Sequence, residues 1–164
     1  MAPPRVECQC SDDPREMGLT QGTKLKEKIL GAHESLRSLE PLRLQQPWWL
    51  PYPLYMELAE RRAEKSLVPV LRRTNPAMLA RMQGLSEGAE LPLRSLCLMS
   101  AMEAFIGSVE GRTTIPPLGA CSALAVRGTR SRTGEPIIAR NFDYPPLFQP
   151  FYTLRESRPR APCE

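Results

Sequence analysis

Residues 119–126 read GACSALAV, and residues 133–144 read TGEPIIARNFDY. A thiol at Cys121 becomes a nucleophile only as the thiolate, which takes a base to remove its proton and a cation to stabilise the anion. Histidine is the usual base, but His33 is the single histidine of the chain. It falls in a helix-like segment far upstream, so a Cys–His pair has no support. A second base is built into the chain itself. Cutting the bond between Ala120 and Cys121 frees the α-amine of Cys121, whose ordinary pKa of about 7.7–8 lets it accept the thiol proton near neutral pH. Arg140 would then stabilise the thiolate, and Asp143 would hold and orient the new ammonium. Gly119 and Ala120 are small enough for the tight turn at such a cut. The cut itself would be an N-to-S acyl shift, in which the thiol attacks its own preceding carbonyl.

These residues must be positioned by strands. CSALAV and PIIARNF are short runs, apolar on both faces, which is the pattern of a sheet covered on both sides. GTRSRTG between them begins and ends in glycine and reads as a hairpin loop. If Val126 faces Pro136 in an antiparallel pair, Cys121 faces Asn141; a slip of one residue sets Cys121 against Arg140. Either register brings RNFD beside the cysteine. The connector before it, GRTTIPPLGA at 111–120, has two prolines and two glycines and cannot be a regular helix.

Upstream, roughly from 12 to 110, the period is helical. Residues 5–11 read as a short strand. Asp13, Pro14 and Glu16 make a helix start, with a cap, a proline at the first helical position and an acid three residues after the cap. That helix continues through Leu25, Ile29, Ala32 and Leu36 on one face. Gly18 and Gly22, four apart, admit close packing of another element. The proline-punctuated stretch 41–53 carries Trp48 and Trp49, which are expected to pack into the core or as a lid. A helix over about 53–73 follows, with Met56, Ala59, Ala63 and Leu67 as its stripe and Pro69 expected to kink or end it. Asn75–Pro76 restarts a helix whose stripe is Met78, Met82 and Leu85, read as core. Pro92 opens the next helix. Its body, LCLMSAMEAFI, is apolar nearly all round and should be deeply buried. The tail ESRPRAPCE has no periodicity.

Composition narrows the classes. At 164 residues, 41% hydrophobic and 24% charged, the chain can bury a real core and is not globally disordered. A net charge of +4, with basic and acidic residues interleaved, does not suggest a nucleic-acid binder. RGTRSRTG and RESRPR lack interleaved aromatics and read better as solvated surface. No run of apolar residues is long enough to span a membrane, and no leader-like apolar region opens the chain. Five cysteines without framework spacing suit a reducing, cytoplasmic compartment. Cys8 and Cys10 form a C-x-C pair with too few further ligands for zinc. The chemistry described calls for no metal or cofactor.

Three stretches resemble the isopenicillin-N acyltransferase-like family of cysteine N-terminal-nucleophile hydrolases. SDDPREMGLTQGTKLKEKI is similar to its opening motif, GLSEGAELPLRSLCLMSAMEAF to its internal helical segment, and GACSALAV with TGEPIIARNFDY to its nucleophile strand and the strand after it. The last is the most specific, and together they span most of residues 7–155. The resemblance implies an α+β fold: the N-terminal part of an αββα sandwich, mostly helical to about residue 110 and followed by a β-hairpin. It implies one domain over 1–164, with residues to 120 as a first chain and 121–164 as the start of a nucleophile-bearing second chain. It also implies self-cleavage between Ala120 and Cys121, a heterodimer of the cut chains, and amide hydrolysis or acyl transfer through a thioester. The donor would be a small-molecule amide or acyl compound such as an acyl-CoA. By position, Cys121 resembles the nucleophile, and Arg140 and Asp143 the residues that flank it; Asn141 supports the strand. Two departures stand out. Ala120 occupies a position that is glycine in the best-known relatives, and relatives continue well past the length of this chain, so it resembles their N-terminal portion.

The plainer alternatives are a buried strand cysteine at Cys121 and a strand-end ion pair at Arg140 and Asp143. A different class of function is a catalytically inactive fragment, a non-catalytic binding or interaction module, or a partner subunit completed by another chain along unpaired strand edges.

Overall fold

The computed structural model describes residues 5–8, 12–110, 122–141 and 146–157. Strand β1 (Arg5–Cys8) leads into helices α1 (Pro14–Lys24), α2 (Lys26–Arg37), α3 (Glu40–Leu44), α4 (Tyr52–Thr74), α5 (Pro76–Ala89) and α6 (Leu93–Glu110). Strands β2 (Ser122–Val126) and β3 (Ile137–Asn141) follow, then a 3₁₀ turn at Pro146–Phe151 and strand β4 (Leu154–Ser157). The described residues are thus mostly helical, with a small antiparallel sheet late in the chain, an α+β composition in the coarse sense.

The helix starts follow from their caps. The Asp13 side chain accepts from the Arg15 N–H at 2.8 Å, and Pro14 occupies the first turn, where its missing N–H costs nothing. Asn75 accepts from the Met78 N–H at 3.0 Å, and Pro76 follows it in the same way. The first helix does not run unbroken to Leu36. Leu25 leaves helical geometry at φ −112°, ψ 13°, dividing it into α1 and α2. The hydrogen bonds from Leu25 N–H to Gln21 O (3.0 Å) and from Ile29 N–H to Leu25 O (2.9 Å) carry across the break. Pro69 does not end α4, which continues to Thr74.

α1 and α5 cross with their backbones in contact. A Cβ on Gly18 would overlap the Arg81 carbonyl oxygen, and one on Gly84 would overlap the Arg15 carbonyl oxygen. Gly22 and Gly88, one turn further along each helix, repeat the arrangement. Four glycines at i, i+4 spacing thus form two facing rows with no side chain between them. Thr23 Oγ1 turns back to the Leu19 carbonyl at 2.9 Å, and Arg15 reaches Glu87 at 3.0 Å across the exposed edge.

The apolar stripes meet in two joined clusters. Leu36, Leu39, Leu42, Met56, Ala59, Leu98, Met102 and Phe148 form one. Met82, Ala89, Leu91, Leu96 and Cys97 form the other, and Ala63 and Met99 pack against both. In the first part of the apolar body of α6, Leu96, Cys97, Leu98 and Met102 are buried and Ser100 is exposed; its side chains from 103 onward lie outside the described residues. Met78, expected in the core, is exposed, because the first turn of α5 extends beyond the packed stripe. The tryptophans also depart from expectation. Trp48 is 95% exposed and Trp49 66%. Leu50 takes the inward position instead, held by its N–H to the Pro47 carbonyl at 3.0 Å, and that turn leaves both indoles facing solvent.

β1 pairs in parallel with β4, Arg5 with Leu154 through Cys8 with Ser157. β2 and β3 form a separate antiparallel pair. Its loop closes through a 3₁₀ turn at Gly128–Arg130, and Gly134 takes φ 77°, a conformation that only glycine adopts without strain. Both strands were expected beneath covering layers. Against the described residues they are open: Leu124 is 63% exposed and Ile138 81%. Two strands alone bury nothing on either face unless another layer lies on them.

Candidate functional site

The hairpin sets the frame for the residues singled out from the sequence. Val126 pairs with Ile137, Ala123 with Arg140 and Ser122 with Asn141. Neither expected register is the one observed; the alignment of Val126 with Pro136 is off by one residue. Pro136 has no N–H to donate to the ladder, so pairing begins at Ile137. Arg140 and Asn141 belong to β3, the strand expected for them. Ala120, Cys121 and Asp143 lie outside the described residues.

The polar centre that sequence reading missed lies between three helices. Glu60 of α4 is buried, and its Oε1 sits 2.9 Å from Nε2 of His33 on α2, itself buried. On the other side, Arg94 Nε of α6 lies 3.4 Å from Glu60 Oε2, an ion-pair distance without the alignment of a hydrogen bond. The Ser95 hydroxyl, also buried, completes the set. Burial alone would raise the Glu60 carboxyl. The hydrogen bonds from His33 and Ser95, and the charges of His33 and Arg94, outweigh it and hold the carboxyl below its ordinary value. The signal was present in the sequence: Glu60 falls four residues after Met56 and three before Ala63, on the stripe that faces the core. A carboxylate there requires buried partners.

The described thiol, Cys97, sits where its thiolate is disfavoured. Burial, and then the Glu64 carboxylate, push the Cys97 thiol up to about 11, so it stays protonated at neutral pH. His33 is committed to Glu60, which leaves the histidine no role as base for Cys97.

Beside this centre a cavity of about 260 Å³ opens between α2, α6 and the Pro146–Phe151 turn. Ala32, Leu36, Met99, Met102, Phe148, Phe151 and Tyr152 line it. Gly31 lets the Phe151 ring lie directly on α2, where a Cβ would come 2.6 Å from Cε1. The Lys28 ammonium donates to the Tyr152 carbonyl at 3.3 Å and ties the end of that turn to α2.

Among the described residues no group of three or more His, Cys, Asp or Glu side chains stands close enough to hold a metal ion, and no helix is long and apolar enough to cross a membrane. Comparison with protein-family models, with curated proteins and with solved structures gave no match.

Proposed function

We propose that the chain carries the nucleophile of a self-processing cysteine acyltransferase or amidohydrolase acting on a C–N amide bond. The observation that supports this most directly is the antiparallel pairing of Ser122–Val126 with Ile137–Asn141, the strand pair that begins immediately after Cys121 and contains Arg140. The likeness of GACSALAV and TGEPIIARNFDY to a nucleophile strand and its successor supplies the chemistry. In the proposed maturation, Sγ of Cys121 attacks the Ala120 carbonyl carbon. The C–N bond breaks, the nitrogen takes up the thiol proton, and Ala120 becomes a thioester on Cys121. Water hydrolyses that thioester, releasing the Ala120 carboxylate and regenerating the thiol. The freed α-amine then serves as base for turnover: the thiolate takes an acyl group from a small amide or an acyl donor such as an acyl-CoA, and water or an acceptor amine removes it. Arg140 stabilises the thiolate, Asp143 orients the ammonium, and Asn141 supports the strand.

Intact mass of the purified protein tests this, with wild type and Cys121→Ala in parallel. The expected result is two wild-type fragments divided between Ala120 and Cys121, and an uncut variant. A Cys121→Ala chain that still divides at that bond would end the reading.

One observation favours a second reading, an interaction subunit whose sheet is completed by another chain. Leu124, Ile137 and Ile138 are apolar, exposed and carried by strands whose outer edges pair with no other strand among the described residues. An uncut wild-type chain that cuts only after a partner chain is added would select it.

A further inference from the structure

We propose that the cavity between α2, α6 and the Pro146–Phe151 turn binds the apolar tail of a monocarboxylate, with Lys28 holding the carboxylate at its rim. The cavity wall is built from alkyl, thioether and aromatic groups, and Tyr152 is the only residue of the lining with a polar side-chain group. Such a wall rejects a charged or strongly hydrated tail, because each polar group entering it would lose its water without a replacement partner. The space, about 260 Å³ and open to solvent on one side, is larger than the roughly 150 Å³ that holds a benzene ring in an enclosed apolar cavity. It therefore takes a larger group, of the size of a medium-length alkyl chain. Met99 and Met102 let the wall adapt to the shape of that chain.

The charge at one end selects the head group. Lys28, Ala32 and Leu36 follow one another at four-residue spacing and so share one face of α2; the last two line the cavity. The Lys28 ammonium has three donors, and one is used on the Tyr152 carbonyl at 3.3 Å. Among the described residues no carboxylate pairs with Lys28. A half-buried ammonium bonded to the carbonyl of the lining residue Tyr152, with no carboxylate partner among the described residues, matches a molecule that brings both an anion and a tail.

Calorimetric titration of the full chain with octanoate, and with 1-octanol as the uncharged counterpart, tests the inference. Wild type should show one saturable octanoate site with a negative heat-capacity change, the mark of apolar burial. Lys28→Gln should weaken octanoate by about tenfold, the loss of one hydrogen bond to a charged group, and leave 1-octanol unchanged. Ala32→Phe, which fills the cavity, should abolish both. Lys28 is only half-buried and donates a single hydrogen bond, so the Lys28→Gln comparison decides the matter even if Ala32→Phe fails to fold. Octanoate that gives no saturable heat, that binds Lys28→Gln as tightly as wild type, or that binds wild type no better than 1-octanol would overturn the inference. The titration reads binding and not turnover, so it fails or succeeds independently of the acyl-transfer reading.

Discussion

Glu60 holds a charge where burial alone would keep it neutral, because His33, Arg94 and Ser95 converge on it from two other helices. Its folded pKa lies below the unfolded value of 4.5. Around that pH the unfolded chain therefore binds more protons than the folded one, and stability rises with pH. The contribution is fully present above 4.5 and is lost as pH falls through the lower folded value. Glu60→Gln should cost about 1–3 kcal/mol at neutral pH by weakening bonds to buried partners. The gap between variant and wild type should close as the pH is lowered below 4.5 and through the lower folded value. Urea midpoints measured across that range check this, and parallel profiles would show that Glu60 is not the titrating group. Histidine and carboxylate were both plain in the sequence, as was the stripe on which Glu60 sits. Their pairing was not, because the i, i+4 rule places a residue on a face without saying which helix the face meets.

At the scale of elements, α1 and α5 make the closest contact in the protein's helical part. Gly18 with Gly22 was legible as a place for close approach. The matching pair, Gly84 with Gly88, was not, since a glycine pair in a sequence does not name its partner. The crossing explains why the helix-weakening cost of four glycines is tolerated. Each costs about 1 kcal/mol in propensity against alanine, and the backbones gain dispersion and Cα–H···O contact instead. Gly84→Ala should therefore destabilise the chain by about 1–3 kcal/mol despite alanine's better propensity, as the new methyl meets the Arg15 carbonyl. A melting temperature that rises in this variant would mean the crossing is looser than described. The caps at Asp13 and Asn75 were read correctly, because an N-cap depends only on residues within one turn of it.

For the whole molecule, the decisive feature is where apolar surface stays open. The helical part closes around its own core, whereas the β2–β3 hairpin, with Leu124, Ile137 and Ile138, does not close against the described residues. Ile138→Lys should accordingly change the stability of the isolated chain by no more than about 0.5 kcal/mol. It should also reduce concentration-dependent self-association in sedimentation experiments, since a lysine on an exposed strand blocks edge pairing. A large loss of stability instead would mean that Ile138 is covered in solution. The proposed nucleophile directly precedes Ser122 in the sequence, so the proposed chemistry would depend on how this hairpin is covered.

The sequence by itself determined the order and type of the principal elements: the capped helix starts, the helix α6 with its buried Leu96–Leu98 segment, and the hairpin around GTRSRTG. These depend on local rules, namely caps, periodicity and turn residues, whose range is a few positions. It also singled out Cys121, Arg140, Asn141 and Asp143 as a candidate group; of these, Arg140 and Asn141 fall on the observed strand β3, and Cys121 and Asp143 lie outside the described residues. Only the tertiary structure decided the rest. It shifted the hairpin register by one residue at Pro136, turned Trp48 and Trp49 outward in favour of Leu50, and joined β1 to β4 across the length of the chain. It brought His33, Glu60 and Arg94 together and left a cavity beside them. Each of these is a contact between distant segments, settled by competition for a limited interior, and no local pattern in either segment carries that outcome.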